Sequence, residues 1–233
     1  MPQTVAIHQP NYLPWLGYFA KIARADRFIF LDDVQFSKGS YTNRVQVLSA
    51  KGPRWLSVPV EVHLGDPIAK VMPRPGWARS HADMLRNEYR QAAHFKAAWP
   101  ELEAMLRAAP EADLAAVNIH LVMALAGRLG LKCVFSRSSE FSTTGAADDR
   151  LVELTAAVAP GGSYLSGKGG AKYQDPPKFA AAGLGFAYLG FSHPQYPQGE
   201  MAPDGFVPGL SVADAVLHLG WAGAATLLAG EQV

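Results

Sequence analysis

The chain of 233 residues contains a single cysteine, Cys133, so an internal disulfide is excluded. A lone thiol is typical of proteins from a reducing compartment. No apolar stretch reaches the length of about 18 residues that a membrane span needs. The first residues also lack the basic start and apolar region of a secretory signal. We therefore expect a cytoplasmic protein with no membrane partner.

The chain also lacks an excess of charge of either sign. The formal net charge is +1, and no block of basic residues is present. We therefore expect no nucleic-acid partner, and an anionic ligand would have to be held by a local site. Metal-ligand spacings such as HxxEH or HxH do not occur, so no metal site is predicted. Hydrophobic residues make up 49% of the chain and charged residues 18%, which indicates a folded core.

The first 36 residues contain the densest group of polar candidates. An apolar run, Val5 to Ile7, ends at His8, and a helical pattern covers about residues 15–25. A second apolar run, Phe28 to Leu31, ends at Asp32 and Asp33. The pattern predicts strand, helix and strand, with the two strands parallel. His8 and the aspartates would then meet at the carboxyl edge of a sheet, where open α/β sheets bind ligands.

The remaining pattern predicts an α/β fold: a mostly parallel, Rossmann-like sheet flanked by helices. Alternating apolar residues over 43–62 predict a β-hairpin. Helical patterns follow at about 77–91, 94–107 and 111–129, and later segments alternate between strands and helices. We expect one domain over residues 1–233, with residues 43–129 as an excursion over the sheet edge. The sequence does not determine the oligomeric state.

A second candidate region follows the short strand at Tyr164 and Leu165. The segment from Ser166 to Gly170 is a glycine-rich turn, SGKGG. Backbone N–H groups in such a turn can hold an anion, although a plain tight turn has the same composition. The spacing matches neither the Walker motif nor GxGxxG.

Other polar residues have two interpretations each. Arg44 is either an anion clamp or a surface arginine. His81 either packs in the core or reaches a pocket. Asp214 lies three residues after Ser211, the position that a capping box favours. Cys133 lies in an apolar run, which is typical of inert packing rather than of a nucleophile.

Several segments together resemble the WbqC-like family. They are HQPNYLPWLGYF (8–19), LDDVQF (31–36), NR (43–44), WLSVPV (55–60), YLSGKGG (164–170), HPQYPQ (193–198) and LSVADAVLHLG (210–220). Members of this family are similar to proteins encoded with genes for O-antigen and other surface-glycan biosynthesis, where glycine (aminoacyl) transfer has been suggested. The resemblance implies a transferase that acts on an activated sugar or a related specialised metabolite.

A more distant resemblance connects the N-terminal segment with pantothenate synthetase and related nucleotidyltransferases. Those enzymes have an HxGH pair at the start of the helix and form acyl-adenylates. This chain has His8 but has Leu16, Gly17 and Tyr18 where the second histidine would stand. The resemblance implies an alternative function, adenylate-forming amide ligation with ATP and magnesium as cofactors.

The leading hypothesis is aminoacyl or acyl transfer from a small-molecule donor to a sugar-like or amine acceptor. His8 would be the general base, because imidazole titrates near neutral pH. Asp32 or Asp33 would orient it, as a buried carboxylate does in a triad. The predicted substrate-binding residues are Gln9, Asn11, Tyr12, Trp15, Gln35, Asn43, Arg44, His81, Tyr164, Ser166, Gly167, Lys168, Gly169, Gly170, Tyr173, Tyr196 and Gln198. Besides the ligase, the alternatives are a non-catalytic protein that binds a nucleotide-sugar or metabolite, and a metal hydrolase using His8, Asp32 and Asp33.

Overall fold

A computed structural model describes residues 2–172, 174–202 and 205–229. Its strands are β1 (Thr4–His8), β2 (Arg27–Phe30), β3 (Arg44–Ser49), β4 (Gly52–Ser57), β5 (Val60–Glu61), β6 (Met72–Pro73), β7 (Val134–Arg137), β8 (Ser163–Gly167) and β9 (Gly185–Leu189). Its α-helices are α1 (Leu16–Ala23), α2 (Trp77–Tyr89), α3 (Phe95–Arg107), α4 (Leu114–Arg128), α5 (Ala147–Val158), α6 (Pro176–Ala181) and α7 (Val212–Ala229).

The central sheet has five strands in the spatial order β7-β2-β1-β8-β9, and every neighbouring pair is parallel. From β1 the chain first adds β2 and β7 on one side and later adds β8 and β9 on the other. This is the doubly wound order of a Rossmann-like fold, and the direction of winding reverses between β1 and β8. The predicted α/β fold class is confirmed.

Strands β1 and β2 contain continuous apolar runs, Val5 to Ile7 and Phe28 to Phe30, as expected where both faces of a sheet are covered. Ala6, Phe28 and Phe30 point to the larger core, which includes residues of α1, α4 and α7. Val5, Ile7, Ile29 and Tyr164 point to a smaller core formed with α5 and α6. Full burial of a side chain such as Phe28 contributes about 2 kcal/mol to the stability of the folded state.

The chain between β2 and β7 forms structure of its own. The predicted hairpin is present as β3 and β4, which pair antiparallel from Arg44↔Ser57 to Ser49↔Gly52. A two-stranded ribbon, β5 with β6, and the helices α2, α3 and α4 follow. Asn118 of α4 ties this region to the N-terminal turn, because its amide donates to the carbonyls of Pro10 and Thr42 at 2.8 and 2.7 Å. A single domain with residues 43–129 as an excursion stays a prediction.

Helix α7 is the one helix of the described residues that is long and apolar enough to cross a membrane, with a mean hydropathy of 1.4 over 18 residues. No stretch of this kind was expected from the sequence. This helix is bent at Gly220, where φ is 74° and ψ is 172°. It buries most of its surface against the domain's own core and carries the buried polar residues Asp214 and His218. These features are those of a core helix, and the cytoplasmic location stays a prediction.

Candidate functional site

A cleft of about 360 Å³ opens where the winding of the sheet reverses, beyond the carboxyl ends of β1 and β8. This is the place where open α/β sheets bind ligands. Of the predicted site residues, those that line the cleft are His8, Trp15, Tyr164, Ser166, Gly167, Lys168, Gly169 and Gly170. The structure therefore brings the end of the first strand together with the glycine-rich turn, which lies 158 residues later at Ser166.

His8 is half-buried and is held in one orientation. Its Nδ1 lies 3.0 Å from the carbonyl oxygen of Gln9. A carbonyl oxygen only accepts, so Nδ1 carries a hydrogen and the neutral ring keeps its lone pair at Nε2. Burial, and next the charge of Lys21, lowers the pKa of His8 to about 4, although the Gln9 carbonyl acts in the opposite direction. At neutral pH, His8 is an uncharged base with one free nitrogen lone pair.

A second cavity, of about 730 Å³, lies next to the cleft and shares His8, Ile7, Tyr164 and Gln174 with it. Its polar lining differs from that of the cleft, because it includes Asp148, Asp175 and Lys178 besides Gln9. Asp148 is buried, and its Oδ2 accepts a hydrogen bond from the backbone N–H of Asp175 at 2.7 Å. His8 therefore stands on the wall between two cavities that differ in charge.

Lys21 is a cleft residue that the sequence analysis missed. It comes from α1, its side chain is buried, and its Nζ donates to the carbonyl oxygen of Ile7 at 2.8 Å. Burial lowers the pKa of Lys21 to about 7. The available signal was that Lys21 is the one charged residue in the helix sequence LGYFAKIA. A lysine in an otherwise apolar helix has either an exposed position or a function.

The glycine-rich turn is packed tightly against a second missed residue, Gln174. Ser166 donates its hydroxyl to the Gln174 side-chain carbonyl, and the Gln174 amide donates to the Tyr164 hydroxyl at 3.3 Å. A Cβ on Gly170 would lie 2.2 Å from the Gln174 oxygen and 2.6 Å from the Ser166 hydroxyl. A side chain at position 170 would have to displace the Gln174 and Ser166 side chains, so glycine there permits their close contact with the turn. Tyr173, also predicted for the site, lies outside the described residues.

Asp32 and Asp33 have partners other than His8. In the described part of the chain, Asp32 accepts from Ser138 and Ser139, and Asp33 accepts from Ser138 and Arg150. Burial raises the pKa of Asp33, but hydrogen bonds from Arg150 and Ser138 outweigh it, so the pKa is lowered. Both carboxylates therefore anchor the segment after β7, and the Gln9 carbonyl orients His8 in place of the predicted aspartate.

The predicted hairpin residues, Asn43 and Arg44, lie near a row of three aromatic rings that starts at the cleft. The rings are those of Trp15, Tyr41 and Trp55. The ring of Trp15 is 4.8 Å from that of Tyr41, which is 5.8 Å from that of Trp55. The Arg44 guanidinium stacks over the Trp55 ring at 4.1 Å. Asn43 is buried and supports the loop, since its amide donates to Val58 and its oxygen accepts from Gly39. Arg44 thus has a stacked position that neither interpretation of the sequence anticipated.

Tyr12, in the turn before α1, and His81 of α2 form a buried pair. The His81 Nε2 faces the Ser57 carbonyl at 3.1 Å and must donate to it, so Nδ1 accepts from the Tyr12 hydroxyl at 2.7 Å. Burial lowers the pKa of His81 to about 4. Asn11 is also buried, whereas Gln35 is exposed and forms a β-bridge with Pro67. These four predicted residues are not among the described residues that line the cleft or the cavity beside it.

Tyr196 and Gln198 belong to a separate cluster around Asp214, which is fully buried. The carboxylate of Asp214 accepts from Tyr89, Tyr196 and Gln198 at 2.9, 2.7 and 3.1 Å. Burial raises the pKa of Asp214 despite these donors. A cavity of about 380 Å³ beside the cluster is lined by Gln198 and His218. The capping-box interpretation of Asp214 missed this cluster, because its partners come from two other parts of the chain, α2 and residues 196–198.

The fold and the cleft define a doubly wound α/β protein with a cleft at the reversal of its sheet. The chain belongs to the WbqC-like protein family, whose model matches residues 9–226. It is similar to the uncharacterized protein Rv1507c of Mycobacterium tuberculosis, with 29% identity over 219 residues that cover 93% of this chain and 94% of that protein. No solved structure matches the chain. The predicted family is confirmed.

Proposed function

We propose that the protein is a transferase that moves an aminoacyl or acyl group from an activated small-molecule donor to an amine or hydroxyl of a sugar-like acceptor. The observation that carries the proposal is the position of His8 on the wall shared by two cavities. A base between two substrates is the arrangement that a direct transfer requires. The lone pair on Nε2 gives His8 this chemistry, and the Gln9 carbonyl keeps the ring oriented.

The charges of the two cavities support assigning one substrate to each cavity. The cleft contains Lys21 and Lys168, which favours the donor with its negatively charged part. The neighbouring cavity contains Asp148 and Asp175 with one cation, Lys178, and this excess of one carboxylate favours an acceptor that carries an amine. The proposal therefore places the donor over the glycine-rich turn and the acceptor on the side of α5 and α6.

In the proposed reaction, the acceptor nitrogen or oxygen attacks the donor carbonyl carbon and forms the new amide or ester bond. His8 Nε2 takes the proton that the attacking group loses. The bond between the carbonyl carbon and the leaving group then breaks, and the leaving group receives that proton from His8. An anionic donor next to the ring stabilises the imidazolium that forms in between and raises its pKa.

The test begins with a thermal-shift screen of acyl-CoA, UDP- and dTDP-sugars, free amino acids, and ATP with magnesium. The stabilising donor is then incubated with amino-sugar acceptors, and the acylated product is measured by mass spectrometry. His8→Gln should lower turnover at least about a hundredfold. His63→Gln, a matched change at an exposed histidine, should have no effect.

Three results would contradict the proposal. Equal turnover by His8→Gln and the wild type would remove His8 from the reaction. Stabilisation by ATP with magnesium, together with formation of AMP, would favour the adenylate-forming ligase. Binding of a nucleotide-sugar without turnover under any donor and acceptor pair would favour the non-catalytic binding protein.

A further inference from the structure

Lys21 lies at the fork between the two strands that border the cleft. The pairing of β1 with β8 ends at Ala6↔Leu165, so the carbonyl of Ile7 is just beyond the last paired residue. The Lys21 ammonium donates to that carbonyl at 2.8 Å. An ammonium has three donors, and this is the one hydrogen bond recorded for it among the described residues. The ammonium also lies 5.8 Å from the centre of the Tyr164 ring, and Lys21 lines the cleft.

The charge of Lys21 has no carboxylate to balance it. The ion pairs of the described residues do not include Lys21, which is 4% exposed. The described lining of the cleft contains Lys21, Lys168 and His8 but neither aspartate nor glutamate. A buried cation without a counter-charge is unfavourable by several kcal/mol. Such a position is explained when the missing anion arrives with a ligand.

We propose that the cleft binds a phosphoryl group of the donor, and that the Lys21 ammonium is the buried counter-charge for it. The volume of about 360 Å³ accommodates such a group together with part of the molecule that carries it. The adjacent glycine-rich turn supplies the exposed Lys168 as a second cation. The inference rests on the proposed function in one respect, because it assigns the phosphoryl group to the donor. The anion site itself does not depend on which reaction occurs.

Binding of the phosphoryl group should be coupled to uptake of a proton. The pKa of Lys21 is about 7 in the free protein, because burial disfavours the ammonium. A bound anion favours the ammonium and raises this pKa. The affinity should therefore fall as the pH rises above about 7. The other titratable groups around Lys21 are His8 on β1, Tyr18 on α1, and Tyr164 and Lys168 on and after β8.

The experiment uses isothermal titration calorimetry with inorganic pyrophosphate as the probe. The titration is repeated in buffers of different protonation enthalpy, so that the heat reports the number of protons taken up. The wild type should bind with proton uptake at about pH 8, and Lys21→Met should weaken binding at least about tenfold. Lys96→Met, a matched change at an exposed lysine of α3, should bind as the wild type does.

The stability of the free protein separates a ligand-binding role from a structural one. Lys21→Met replaces a buried amine by an apolar chain of similar length, so the melting temperature should stay the same or rise. A large fall in melting temperature would mean that the bond to the Ile7 carbonyl is the main role of Lys21, and would overturn the inference. Unchanged pyrophosphate affinity in Lys21→Met would overturn it as well, as would acetate or citrate binding in preference to pyrophosphate.

The binding measurement needs no turnover, so the two proposals can fail separately. Pyrophosphate binding that depends on Lys21, without any acyl transfer, would keep the anion site and overturn the proposed reaction. Acyl transfer that depends on His8 but proceeds with the same KM for the donor in Lys21→Met would keep the reaction and overturn the anion site.

Discussion

The carboxylate of Asp32 accepts hydrogen bonds from both the backbone N–H and the hydroxyl of Ser139, at 3.1 and 2.8 Å. Asp32 lies two residues after the end of β2 and is 1% exposed, and Ser139 lies two residues after the end of β7. The bonds therefore join the ends of two neighbouring strands across more than 100 residues of chain. A carboxylate in this position stabilises the edge of the sheet, because it holds the ends of two neighbouring strands together.

Asp32→Ala should destabilise the protein by about 1–3 kcal/mol, because the backbone N–H and hydroxyl of Ser139 would lose their acceptor and the buried Ser138 hydroxyl would keep only Asp33. Urea unfolding measures this change. Asp83→Ala, on the exposed side of α2, should change stability by no more than about 0.5 kcal/mol. An Asp32 variant with full stability and no turnover would instead support the catalytic role that the sequence suggested.

The buried His81 should make the stability of the folded protein depend on pH in the acid range. Its pKa is about 4 in the folded protein and 6.5 without the fold, so the unfolded chain binds the proton more readily. Stability is then fully present above about pH 6.5 and falls as the pH drops towards 4, by about 3 kcal/mol. Urea unfolding at several pH values should show a weaker dependence for His81→Gln.

His63→Gln is the control for this measurement, because it makes the same substitution at an exposed histidine. His81→Gln should also be less stable at neutral pH by about 1–3 kcal/mol, since it weakens the contacts with Tyr12 and Ser57. Identical pH curves for the wild type and His81→Gln would show that His81 does not contribute to acid unfolding.

The bend of α7 requires glycine at position 220. The φ angle is +74°, and a Cβ there would lie 2.9 Å from Nδ1 of His94. Gly220→Ala should therefore lower the free energy of unfolding by about 1–3 kcal/mol. Gly127→Ala, in the exposed face of α4 with no atom near the new Cβ, should raise it by about 0.5–1 kcal/mol. Equal effects from both substitutions would argue against the bend.

Cys133 should be chemically inert. Burial, and next the nearby charge of Asp26, raises the pKa of its thiol to about 12, so almost no thiolate exists at neutral pH. Alkylation by iodoacetamide should be at least about a hundredfold slower than that of free cysteine. Cys133→Ser should retain turnover within about twofold of the wild type. Rapid alkylation with loss of activity would make this thiol part of the site.

Local pattern in the sequence was sufficient to predict the elements of the sheet. The strand, helix and strand at the N-terminus are present as β1, α1 and β2. The hairpin, the three helices that follow it and the later alternation of strands and helices are also present. Hydrophobic period and turn residues depend on neighbours in the chain, so they can be read without the tertiary structure. His8 and the glycine-rich turn were candidates because they directly follow predicted strands.

The tertiary structure alone decided which of the polar residues meet. The strand order places both β2 and β8 next to β1, which ends at His8. The glycine-rich turn after β8 therefore lines the same cleft as His8, whereas Asp32 after β2 binds Ser139 after β7. Helix α1 is buried on nearly every side. The position of Lys21 in the cleft therefore depends on tertiary packing, which the hydrophobic period of the helix does not specify. Contacts between residues distant in the chain depend on crossovers and packing, and these are properties of the whole fold.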